Sequence, residues 1–185
     1  MLNRVAVYLT DVIARDCNEE DRETYIYGWE MILSTLGAVG AIAILGAVFG
    51  RFFETAVYML CFLSIRAYAG GSHASTYLRC FLKSNLYFII PLALTLFTGL
   101  HYSLLCAAIF ALAGALLVLI RAPQDHPNKR LSAQEHIQYK RKSRIITGIW
   151  LLSIALGYFV PASIPFVWWI SVGILQAGIT LIKGK

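Results

Sequence analysis

The chain has 185 residues, 58% of them hydrophobic and 14% charged. Soluble domains run about 45–50% apolar and about 25% charged, so this composition excludes an ordinary soluble fold and makes lipid part of the solvent. The formal net charge of +6 does not mark a nucleic-acid binder, because the basic residues lie between apolar runs and form no continuous patch.

In chain order, Leu2, Val5, Leu9, Val12 and Ile13 recur at helical spacing, with Arg4, Asp11 and Arg15 between them. That pattern predicts an amphipathic helix lying on the membrane surface. Asn18 followed by Glu19, Glu20 and Asp21 reads as an N-cap with acids in the first turn of a new helix. No cleavable signal peptide is expected, since the first apolar run begins near Met31 after an acidic stretch and no small-residue cleavage pattern follows it.

Met31 to Gly50 is uncharged and bounded by Glu30 and Arg51, which suits a span of about 20 residues. Thr55 to Ile65 is apolar but short; continued through Ala67, Tyr68 and Ala69, and carrying Arg66, it makes a second span. Leu86 to Ile120 has no charge and is too long for one span, so the natural turn "TGLHY" at 98–102 divides it into a third and a fourth. Ile145 to Ile182 is also uncharged, and "PASIP" at 161–165 breaks it into a fifth and a sixth, because proline removes a backbone donor and clashes with a continuing helix. The expected fold is an all-α integral membrane protein. It has about six transmembrane helices plus the N-terminal surface helix, in one domain over 1–185. The runs do not alternate as the strands of a closed barrel would.

The segment 121–144 holds Arg121, Lys129, Arg130, Lys140, Arg141, Lys142 and Arg144. Further basic residues are Arg4, Arg15 and Arg22 before the first span, Arg66, Arg79 and Lys83 after the second, and Lys183 and Lys185 in the tail. The turns at 98–102 and 161–165 have none. Six spans with both termini cytoplasmic put every basic segment inside except Arg51. The stretch 66–80 is then cytoplasmic as well.

That stretch reads "RAYAGGSHASTYLRC". His73 and Cys80 are seven residues apart, which on one straight helix is about 10 Å at about 1.5 Å per residue. A Cys–His dyad needs hydrogen-bond reach. The pair therefore requires a bend, and Gly70 and Gly71 offer one by ending the second span. Cys80 would then face back toward His73 from a separate turn. Arg79 is adjacent and Arg66 and Lys83 flank the stretch, a field that favours a thiolate. The plainer reading is a cytoplasmic loop whose arginines follow from topology and whose glycines end a helix.

Other groups give weaker candidates. Cys61 and Cys106 lie inside apolar runs, where cysteine acts as a small hydrophobe. Cys17 lies among Asp16, Glu19 and Glu20, the wrong field for a nucleophilic thiolate. The four cysteines form neither a disulfide framework nor a CxxC metal pattern. His101 sits in the outer turn without an acidic neighbour, and His126 and His136 with Asp125 and Glu135 match no ligand spacing with a stated mechanism.

Taken with the hydrophobic layout, "RAYAGGSHASTYLRC" and the polar stretch "RAPQDHPNKR" at 121–130 resemble the AgrB family, the accessory gene regulator B endopeptidases of Gram-positive quorum sensing. The resemblance covers most of the chain. It implies a membrane cysteine endopeptidase that needs no cofactor and acts on a short AgrD-type precursor with an amphipathic leader, a signal segment and an acidic tail. It implies Cys80 as nucleophile and His73 as base, with supporting or substrate-binding roles for Arg66, Gly70, Gly71, Ser72 and Arg79. The group that orients the imidazole stays open among Ser72, Asp125 and Gln138. The expected partners are the precursor and the lipid bilayer, with a second copy of the chain left open and no nucleic acid. The rival reading is a small transporter or assembly subunit without enzymatic activity. It would favour ionisable residues within the spans, and 86–120 and 145–182 contain no Asp, Glu, Lys or Arg.

Overall fold

The computed structural model describes residues 2–15, 17–71, 76–99, 103–124 and 131–182. Among these residues the chain forms seven α-helices and no strand: α1 (Leu2–Ile13), α2 (Glu19–Val48), α3 (Phe52–Ala69), α4 (Tyr77–Thr98), α5 (Leu104–Arg121), α6 (Ala133–Gly157) and α7 (Ile164–Thr180). A 3-10 turn over Pro161–Ser163 joins α6 to α7.

The helix starts follow local capping chemistry. Asn18 caps α2 from an extended backbone and its side chain accepts from the Asp21 N–H at 2.8 Å. The acidic helix and the first span, read separately in the sequence, are one 30-residue helix, because no proline interrupts the bonding after the cap. Ser132 caps α6 in a reciprocal box with Glu135, whose Oε2 accepts from the Ser132 N–H at 2.9 Å. Glu135 is thus occupied in capping. The basic stretch 140–144, which precedes the uncharged run from Ile145, is helical.

Among the described residues, five segments are long and apolar enough to cross a bilayer: 21–48, α3, α4, α5 and 161–180. The helix expected as the second span is thus long and apolar enough to cross, and α3 begins three residues before the expected Thr55. α6 lies where the fifth span was expected, but Lys140, Arg141, Lys142 and Arg144 restrict its apolar part to residues from Ile145 onward. Arg51, the one basic residue against the orientation count, pairs with Glu54 at 3.0 Å. α1 rests on α2 through Ala6 and Thr10, while Val5, Tyr8, Val12 and Ile13 face outward. That leaves an apolar outer face suited to the interface of a bilayer.

The centre of the bundle is α7, which buries Trp168 and Trp169 completely. It packs on α5 through small residues, because a Cβ at Gly114 would stand 2.5 Å from the Leu175 backbone. Helices in lipid lack a hydrophobic drive toward each other and associate through such close approach. Cys61 belongs to this core: it is fully buried, and its thiol donates to the Ile170 carbonyl at 3.6 Å.

The ends of several helices meet on one side of the bundle. The Gln124 N–H after α5 donates to the Ala69 carbonyl at the end of α3, at 3.0 Å. Arg121 donates to Ile182 O at 3.4 Å and Arg144 to Leu119 O at 3.1 Å. Cations thus meet the negative C-terminal ends of α7 and α5.

Candidate functional site

The chain leaves α3 at Gly70, with φ +71°, and Gly71 follows with φ +137°. Both angles favour glycine. Space requires it too. A Cβ on Gly70 would lie 2.5 Å from the backbone oxygen of Gln124, and one on Gly71 would lie 2.7 Å from Thr180 Oγ1 and 3.3 Å from Arg66 Nη1. The glycine pair therefore threads the chain between the loop after α5, the end of α7 and Arg66. Helices α3 and α4 are separate elements, and the chain leaves the α3 axis at the glycine pair.

Thr76 restarts the helix. Its backbone is extended, and its Oγ1 accepts from the Arg79 N–H at 3.3 Å. Cys80 follows in the first turn and its N–H donates to Thr76 O at 3.0 Å. The amide end of a helix favours a negative group nearby. The half-buried Cys80 side chain lines a cavity of about 380 Å³ between α2, α3, α4 and α7. Arg66, from the last turn of α3, lines the same cavity and lies close enough to Cys80 to interact with it electrostatically. Its guanidinium also stands 5.8 Å from the Phe62 ring centroid.

The sequence-derived residues divide as follows. Arg66 and Cys80 come together at the cavity, and Gly70 and Gly71 form the turn between their helices. Arg79 is exposed beside Cys80 and lies outside the cavity wall. His73, Ser72, His101, Asp125 and His126 lie outside the described residues. Gln138 is exposed on α6 and does not line the cavity.

Several lining or supporting residues escaped the sequence reading. The floor holds Tyr58 and Gln176. Pro91 interrupts α4 and has no N–H, so the carbonyl of Tyr87, four residues earlier, loses its helical partner. Gln176 Nε2 donates to that carbonyl, and the Tyr58 hydroxyl donates to Gln176 Oε1. Three helices are thereby joined beneath Cys80. Gln176 is the one side-chain amide in the uncharged run 145–182, and a buried amide within a span needs a partner. With Pro91 that was a usable signal. At the mouth, Glu30 accepts from Tyr77 OH and from Asn3 Nδ2, each at 2.8 Å. The first residue of α4 is thus tied to α2 and through it to α1. Nothing in the local sequence marks that bridge.

A family model described as accessory gene regulator B matches residues 3–181 of this chain. A Listeria monocytogenes protein described as AgrB-like is 28% identical over 149 residues, covering 78% of this chain and 72% of the relative. The accessory gene regulator protein B of Staphylococcus aureus is 28% identical over 156 residues, covering 84% of this chain and 79% of the relative. No solved structure matches the chain.

Proposed function

Because the chain belongs to the accessory gene regulator B family, whose model matches residues 3–181, we propose that it is a membrane cysteine endopeptidase of quorum sensing. In this reading it removes the C-terminal tail of a short AgrD-type precursor. The observation that carries the reading is the position of Cys80: first turn of a helix, in a cavity wall, beside Arg66. A cavity supplies a place for substrate, and the helix amides and the guanidinium both favour a thiolate.

In the proposed reaction the Cys80 thiolate attacks the carbonyl at the boundary of signal segment and tail. A sulfur–carbon bond forms and the carbon–nitrogen bond breaks. His73 in its protonated form gives its proton to the departing amine. The signal segment stays on the enzyme as a thioester. A thiol or hydroxyl within that segment then displaces Cys80 and closes a thiolactone or lactone. Exchange between thioesters is nearly balanced, so the ring keeps the activation that water would destroy. A cavity walled largely by apolar side chains supports that outcome by limiting water. We place the whole chain in one peptidase domain in the cell membrane, with both termini and Cys80 cytoplasmic.

Co-expression with the precursor tests this. Cys80→Ala and Cys80→Ser should abolish tail removal, while Cys17→Ala, Cys61→Ala and Cys106→Ala should retain most of it. Normal cleavage by either Cys80 variant would end the endopeptidase reading.

A further inference from the structure

We propose that the cavity beside Cys80 is the subsite for the side chain of the residue whose carbonyl is attacked, that it selects a bulky apolar side chain there, and that Ser84 and Ala38 set the size it accepts. This inference rests on the endopeptidase reading of Cys80 and adds to it the identity of the substrate residue that the site measures.

Covalent geometry supplies the first step. Once sulfur binds the carbonyl carbon, the adjoining Cα is one bond away, and the next Cα is about 3.8 Å further. The side chain of the attacked residue is therefore the first that the cavity can take. Tyr77, Cys80, Ser84 and Tyr87 all line it, at the spacing of one helix face. Ser84 stands about 6 Å further along the axis than Cys80, at about 1.5 Å per residue. The volume of about 380 Å³ is near the small end of ligand sites, which run from about 300 to about 1,000 Å³. It suits one or two side chains rather than a folded peptide.

The chemistry of the wall supplies the second step. Met31, Val39, Ile42, Met59, Phe62 and Phe81 give it its apolar character, and no acidic residue is among the described residues lining it. The polar floor is already satisfied, since Tyr58 donates to Gln176 and Gln176 donates to Tyr87 O. A cationic side chain entering here would lose water and meet the like charges of Arg66 and Lys83, which also line the cavity. The acidic tail has a better-solvated counterpart in Lys140, Arg141 and Lys142, which are exposed on α6. The retained side of the cleaved bond thus belongs in the cavity. Ser84 and Ala38 are small side chains in its wall, on α4 and α2, where added bulk would take its volume.

The test uses full-length protein in lipid vesicles and precursors carrying Leu, Phe, Ala or Lys before the cleaved bond. Wild type should prefer Leu and Phe over Ala and Lys by at least about tenfold in kcat/KM, the scale for apolar pockets. Ser84→Phe and Ala38→Phe should reverse the Leu-to-Ala ratio. The alkylation rate of Cys80 reports whether each variant keeps its site; where Phe does not, Ser84→Val and Ala38→Val decide by the same ratio. Unchanged preference in the variants, or equal loss of Leu and Ala precursors at a wild-type alkylation rate, overturns the subsite. Equal wild-type rates on all four precursors overturn it too and leave the endopeptidase reading standing. Cleavage that survives Cys80→Ala removes the endopeptidase reading itself.

Discussion

Gln176 on α7 donates to the backbone carbonyl of Tyr87 on α4, the carbonyl that Pro91 leaves without its helical partner. The bond explains how a proline sits within a membrane helix without stranding a polar group. Lipid offers no water to such a carbonyl, so another helix must supply the donor. The Tyr58 hydroxyl completes the set by donating to Gln176 Oε1. Gln176→Leu should therefore lower stability by about 1 kcal/mol or more, at the scale of hydrogen bonds between membrane helices. Pro91→Ala restores an N–H beneath Tyr87 O. The double variant should lose less than the sum of the singles, measured by thermal unfolding in detergent. Strict additivity would show that the two residues do not share that carbonyl.

The glycine pair makes a graded prediction. Gly70→Ala puts a Cβ at φ +71° against the immobile oxygen of Gln124 at 2.5 Å. Left-handed backbone at a residue other than glycine costs about 1–3 kcal/mol before the clash is counted. Gly71→Ala meets the short side chain of Thr180, and Gly71→Val adds a branched side chain at φ +137°. Precursor cleavage should fall in all three, more for Gly71→Val than for Gly71→Ala, with membrane insertion retained. Equal activity for Gly71→Ala and Gly71→Val would reduce that glycine to a convenient helix end.

Glu30 bridges Asn3 on α1 and Tyr77 on α4. Hydrogen bonds to a charged group contribute about 1.5–3 kcal/mol. Tyr77→Phe and Glu30→Ala should each destabilise the start of α4, and Tyr77→Phe should add little once Glu30 is Ala. A double-mutant cycle on thermal stability measures the coupling. An additive result would mean the bridge carries no energy.

Sidedness is testable by labelling. In a cysteine-free background, cysteines introduced at Ser103 and Ser163 should react from outside the cell, and those at Lys83 and Lys140 only after the membrane is opened. External labelling at Lys140 would overturn the proposed orientation. Neutralising Arg51 should leave orientation unchanged, since Glu54 already pairs with it.

The sequence by itself determined the helical membrane class, the surface helix, and the breaks at Gly99 and Pro161. These depend on local composition, proline geometry and hydropathy, which are properties of neighbouring residues. It also showed that a dyad of His73 and Cys80 would need a bend between them and the end of the second span, because the rise of a helix keeps positions seven apart out of reach. It began the fifth span at Ile145, whereas Ser132 and Glu135 cap a helix that already runs through the basic stretch. Tertiary structure alone decided that Arg66 and Cys80 share a cavity with Gln176 and Thr180. It alone decided that Gln124 lies over Gly70 and that Glu30 holds Tyr77. Those relations join residues from about 50 to about 110 positions apart, and chain spacing carries no information about which helix faces which. Close packing of small residues, as at Gly114 and Gly178 between α5 and α7, is decided only when the helices meet.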